Sequence, residues 1–215
     1  MIKQMTEILH DVRVTLDENA VSDALINEDD VDTLTLDEII ESKVLDAIRR
    51  VEIDAPTYLL EGGHNFGDNV YWEQSEAKAG QGWTLLPADF MRLVVFEMSD
   101  WEKAVYTAIS TSDPEYEQQK SRFKGIRGNV QKPVCAIAIR PEGRVLEFYS
   151  CNDNTATVSK AVYIPYPEMD EDGGIDLCER CYTAIVYTTA SLVLSTYGDA
   201  DKASVMLEQA KNSLV

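Results

Sequence analysis

Leu86-Pro87-Ala88-Asp89-Phe90-Met91-Arg92-Leu93-Val94-Val95-Phe96-Glu97-Met98 is the stretch on which the fold turns. Pro87 fixes the backbone and Asp89 offers a side-chain acceptor to the turn. The run from Met91 to Met98 is largely apolar and built from β-branched and aromatic side chains, which reads as a central strand. The residues on either side extend this β character. Val70-Tyr71-Trp72 and Gly82-Trp83-Thr84-Leu85-Leu86 read as short strands around a polar turn. Pro133 to Arg140 and Arg144 to Ser150 read as a pair joined by the turn Pro141-Glu142-Gly143. Thr157 to Ile164 adds a further strand that ends at Pro165.

Outside this middle the period changes from two to 3.6. Ile2, Met5, Ile8, Leu9, Val12 and Leu16 form the stripe of an amphipathic helix. Thr35 stands three residues before Glu38, a capping box, and Asp37, Glu38 and Glu41 suit a positive helix start. Leu36, Ile39, Ile40, Val44, Ala47, Ile48 and Val51 then supply a buried face, and Pro56 stops the helix. Gly62, Gly63 and Gly67 mark the break into the β region. After the acidic turn Met169 to Gly174, residues Asp176 to Tyr197 read as a helix apolar on several faces, which neighbours or other subunits must bury. Asp199 caps a last helix through Lys211. Asp113-Pro114-Glu115 opens a short polar helix to Phe123. The expected class is α+β: N- and C-terminal helices packed together as a helical bundle (1–62 with 174–215), carrying an inserted antiparallel β domain (63–173) that is sandwich- or barrel-like.

The formal net charge of −19 repels nucleic acid and anionic lipid. Two readings of that sign stay open: a protein that favours basic partners, or one lining a passage through which nucleic acid slides without sticking. No apolar run approaches the ~18 residues needed to span a bilayer. The first residues carry no apolar core of a signal peptide, so the expected place of synthesis is the cytoplasm, with reduced thiols. Asp17 to Glu41 holds ten acids and no base, whereas Lys120 to Lys132 holds five bases and no acid. Lys120, Arg122, Lys124, Arg127 and Lys132 are therefore candidate interface residues, with Asp29, Asp30 and Asp32 as the complementary patch on a neighbouring copy, a head-to-tail contact of the kind that closes rings. A solvated loop is the competing reading of the basic stretch, and a DNA contact through Lys124 and Arg127 is a third.

Catalytic and metal motifs each lack a required partner. Cys178-Glu179-Arg180-Cys181 is the best chemical candidate. A redox motif of this spacing needs a preceding strand and a helix N-terminus, and a structural zinc site needs four ligands, which Cys135 and Cys151 would complete only if distant segments met. Two small buried thiols on a helix is the simpler reading. His10 and His64 are the two histidines, and no nucleophile elbow accompanies either. Asp170-Glu171-Asp172 begins like a calcium loop but places Ile175 at its sixth position and Cys181 at its twelfth, and the stretch from Asn27 places Asp32 at its sixth. No phosphate loop or dinucleotide fingerprint occurs. No cofactor, metal or catalytic residue is expected.

Leu86 to Val94, followed by Ser99-Asp100-Trp101, resembles a segment of the head-to-tail adaptor proteins of tailed bacteriophages, similar to tail tubular protein A of short-tailed phages and the ring proteins of crAss-like phages. The resemblance implies a structural virion protein without catalysis: a ring, a dodecamer in that family, docked on the portal protein, joined to the tail or a further ring, with genomic DNA passing through its lumen. Another neck or tail-completion protein, or a thiol or metal protein centred on Cys178 and Cys181, are the alternatives.

Overall fold

The computed structural model describes residues 1–16, 34–123 and 125–215. In chain order they form β1 (Ile2–Gln4), α1 (Met5–Thr15), α2 (Leu36–Asp54), β2 (His64–Asn65), β3 (Val70–Trp72), β4 (Gly82–Leu85), β5 (Phe90–Met98), β6 (Ile109–Ser110), α3 (Pro114–Gln119), β7 (Cys135–Arg140), β8 (Gly143–Phe148), β9 (Val158–Pro165), β10 (Gly174–Asp176), α4 (Tyr182–Thr196) and α5 (Ala200–Asn212), with single 3-10 turns at Thr57–Leu59, Glu76–Lys78 and Glu179–Cys181. The class is mixed α+β. The chain divides into two compact units, Met1–Gly62 with Tyr166–Val215, and Gly63–Pro165.

In the first unit, α4 packs against α1, α2 and α5. The chain itself buries one side of it, where Ile185, Ala190 and Val193 are fully enclosed, while Leu192 and Leu194 stay half-buried. The capping box at Thr35 is formed in both directions. Thr35 Oγ1 accepts from the Glu38 N–H at 3.3 Å, and the Thr35 N–H donates to Glu38 Oε2 at 2.7 Å. Ile40, Val44, Ala47 and Ile48 face the core, spaced as the 3.6-residue period demands. At the last helix, Asp199 accepts from the Lys202 N–H. The spacing predicts a C-terminal helix that begins at Asp176. Instead β10 pairs antiparallel with β1, Ile2 opposite Asp176 and Gln4 opposite Gly174, and α4 begins at Tyr182. Residues 166–173 belong to this unit because Met169 bridges to Ile175 of that strand. Asp170 closes the turn by accepting from the Asp172 and Gly174 N–H groups. Its carboxylate is thus spent on its own loop.

The second unit holds a three-stranded sheet, β2-β9-β5, and a five-stranded sheet, β3-β4-β8-β7-β6. No sheet among the described residues closes into a barrel, which corrects that part of the expectation. The pairings are antiparallel except β6 with β7, which is parallel. Both sheets contribute to one core: Phe66, Phe90, Phe96 and Tyr163 from one side meet Cys135, Leu146 and Phe148 from the other. Phe96 and Phe148 stack with centroids 5.8 Å apart, and dense aromatic packing of this kind adds to simple area burial. The Leu86–Phe90 segment turns into β5 as its residue types dictate. The Phe90 N–H reaches the Pro87 carbonyl at 3.1 Å, and the Phe90 ring is fully buried against Tyr163. Asp89 serves a longer-range partner than the local turn: both its oxygens accept from the Tyr163 hydroxyl at 3.0 Å, fixing β9 beside β5.

Candidate functional site

The basic stretch is built by turns. Pro114 starts α3, and its last turn carries Lys120, whose Nζ binds Glu117 at 2.6 Å and lies over the Tyr116 ring. The chain then folds back on itself, with the Ile126 and Arg127 N–H groups both donating to the Phe123 carbonyl. Gln119, buried, accepts from the Gly128 N–H at 2.7 Å and anchors the return. Asn129 and Lys132 bridge to close the far end. The outcome is a shaped loop that presents Phe123, 57% exposed, and Ile126, 56% exposed, beside exposed Arg122 and Lys132. The Arg122 guanidinium sits 4.8 Å from the Phe123 ring centre.

The candidate interface residues are distributed unevenly. Lys120, Arg122 and Lys132 are exposed. Arg127 is only 4% exposed and donates from Nη2 to the Ala79 carbonyl at 2.9 Å. Its Nε and Nη1 meet no acceptor among the described residues, and burial lowers its pKa. Arg127 therefore holds the loop down from beneath and does not face a partner as Arg122 and Lys132 do. Lys124, Asp29, Asp30 and Asp32, with the expected acidic loop 27–32, lie outside the described residues. His64 pairs in register with Tyr163 across β2 and β9 and meets its ring edge-on at 5.8 Å.

A second cluster lies in the helical unit. The 3-10 turn Glu179–Cys181 leads directly into α4, and the Cys181 N–H returns to the Cys178 carbonyl at 3.0 Å. The Cys178 and Cys181 side chains are both buried. The Cys178 sulfur accepts from the Glu61 N–H at 3.2 Å and reaches the Leu59 carbonyl at 2.7 Å as a donor. The Cys178 N–H donates to Glu52 Oε1 at 2.8 Å. Glu52 is 3% exposed. Burial first, and the nearby Cys178 and Asp176 after it, raise its pKa to about 7 against the Cys178 N–H bond, which lowers it. The neighbouring Cys181 thiol, more than the backbone N–H groups of Glu61, Cys181 and Arg180, holds the Cys178 pKa down to about 6 against the effect of burial. Burial pushes Cys135 and Cys151 the opposite way. Sequence reading passed over Glu52, yet a signal was there: it stands four residues after Ile48 and eight after Val44, on the stripe that the apolar residues of α2 mark as buried.

Among the described residues no group of three or more His, Cys, Asp or Glu side chains could hold a metal ion. No helix among them is long and apolar enough to cross a membrane. Comparison with protein-family models gives no match, and neither does comparison with curated proteins.

Proposed function

We propose that this chain is a structural subunit of a phage virion: one copy of a head-to-tail connector ring that docks on the portal, joins it to the tail and surrounds the DNA exit channel. The observation that carries the reading is the loop from Lys120 to Lys132. In a chain of net charge −19 it is the one basic stretch, and it offers two large apolar side chains, Phe123 and Ile126, flanked by Arg122 and Lys132. Apolar anchors within a rim of one charge are the anatomy of a protein-binding surface. The residue class it fits is acidic, and the same chain supplies it in Asp29, Asp30 and Asp32. Copy-to-copy contact through such unlike patches is heterologous and generates rings.

In the same reading the terminal helices pack as one bundle that carries an inserted antiparallel β domain as a sandwich. The grouping of 1–62 with 166–215 supports it. The bundle contacts the portal, the acidic surface lines the lumen, and DNA slides past without adhering. The connector assignment, as against another subunit of the neck, rests on the resemblance carried by Leu86 to Val94 and Ser99 to Trp101.

The test is co-sedimentation with portal-containing, tail-free capsids of the same virus. Binding is expected, and Phe123→Asp with Ile126→Asp weakens assembly of further copies at least tenfold, the scale set by losing two buried anchors, about 1.4 kcal/mol or more. Failure of the folded chain to bind such capsids overturns the connector reading. A monomeric state in free solution does not bear on it, since assembly on the portal template suffices.

A further inference from the structure

The cluster at the start of α4 is not absorbed by a connector role. Cys178 and Cys181 are the ends of one hydrogen-bonded turn, a geometry that keeps the two Cα atoms within about 7 Å, the span a disulfide bridges. The turn is held on each side: Glu52 takes the Cys178 N–H, the Glu61 N–H points at the Cys178 sulfur, and the Tyr182 N–H, where α4 begins, returns to the Glu179 carbonyl. The thiol form of Cys178 donates to the Leu59 carbonyl, and the Glu61 N–H is the donor placed to stabilise the anion once that proton leaves. The other two cysteines are set differently. Cys135 lies on β7 and Cys151 just past β8, enclosed in the core of the β unit.

We infer that Cys178 and Cys181 form a reactive dithiol that a small hydroperoxide converts to an intrachain disulfide. The Cys178 thiolate attacks one peroxide oxygen. The O–O bond breaks, a sulfenic acid forms on Cys178, and the departing hydroxide takes up the proton that Cys178 had lost, leaving as water. The Cys181 sulfur then attacks the Cys178 sulfur. The S–S bond forms, the S–O bond breaks, and the hydroxyl leaves with the Cys181 proton as a second water. Two thiols lose two electrons in all, and one peroxide becomes two waters. Cys178 keeps 3% of its surface open and Cys181 none, so Cys178 is the sulfur attacked first and only a small oxidant reaches it. The absence of a third ligand among the described residues favours this chemistry over metal capture.

The experiment treats the full-length folded chain with hydrogen peroxide for increasing times, quenches, denatures, alkylates the remaining thiols and maps the peptides by mass. The expected result is loss of two of the four alkylatable thiols, with the 178–181 peptide lighter by two hydrogens and restored by dithiothreitol. Cys178 and Cys181 disappear at least about tenfold faster than Cys135 or Cys151. Cys181→Ser stops at a sulfenic acid on Cys178, trapped by dimedone. Four thiols still alkylated after oxidation, or loss confined to Cys135 and Cys151, overturns the inference. The wild-type map decides the matter even if the serine variant fails to fold.

Discussion

Glu52 shows how one side chain links stability to pH. A carboxyl buried on α2 with a pKa raised from 4.5 to about 7 by desolvation is protonated in the fold at a pH where the unfolded chain has already released the proton. Its contribution is therefore fully present below pH 4.5 and is lost as the pH rises through about 7. Over that window the wild type loses up to about 3 kcal/mol relative to Glu52→Gln. Urea midpoints of the two proteins measured across the window check this, and parallel curves would refute it. Arg140 makes the complementary case. It pairs with Glu147 at 2.6 Å and Glu73 at 3.0 Å and stacks on Trp83. Glu147 is nearly enclosed and also accepts from Tyr116 and Tyr149. Arg140→Ala leaves that carboxylate without its cation, so a loss of about 3–5 kcal/mol is expected by denaturant unfolding, and Arg140→Ala with Glu147→Gln recovers part of it. Arg140 meets Glu147 seven positions away on the β7–β8 hairpin, a local partner, whereas Glu52 takes the Cys178 N–H from far along the chain. Glu52 and Cys178 are 126 positions apart, so the pairing emerges only when α2 and α4 pack.

At the scale of elements, what was legible followed the strength of the local signal. The box at Thr35 and Glu38 has both its bonds, and Thr35→Ala is expected to cost about 1 kcal/mol, read as a lower urea midpoint with unchanged slope. Strands β3, β4, β5, β7, β8 and β9 fall where alternation and turn residues put them. The two-residue strands β2 and β6 were not legible, because so few residues carry no period. β1 and β10 were not either: Ile2–Gln4 continues the stripe of α1 into strand, and only the pairing with Gly174–Asp176 decides between them. Gly80 shows a constraint of another kind. Its φ is +77°, and an added Cβ would collide with the Cys151 carbonyl, backbone that accommodates little movement. Gly80→Ala is expected to cost about 2 kcal/mol or more in thermal or urea unfolding, through strain and loss of the Cys151 N–H to Gly80 carbonyl bond.

For the molecule as a whole, the aromatic core is confined to Gly63–Pro165, since Phe66, Phe90, Phe96, Phe148 and Tyr163 all lie within it. A fragment of those residues is expected to unfold cooperatively on heating with retained near-ultraviolet dichroism, and a non-cooperative melt would show that the core needs the rest of the chain. The helical unit has no such independence, because its strands and helices come from both ends of the sequence. Ile2–Gln4 waits for Gly174–Asp176, and α1 and α2 wait for α4. During synthesis the β unit can complete its core while α1 and α2 remain without the helix they pack on, and their apolar stripes stay open to solvent until α4, Tyr182–Thr196, leaves the ribosome. Translation therefore imposes an order of assembly: the helical unit matures after the β unit. Any surface that the helical unit offers is withheld from a nascent chain until α4 has emerged.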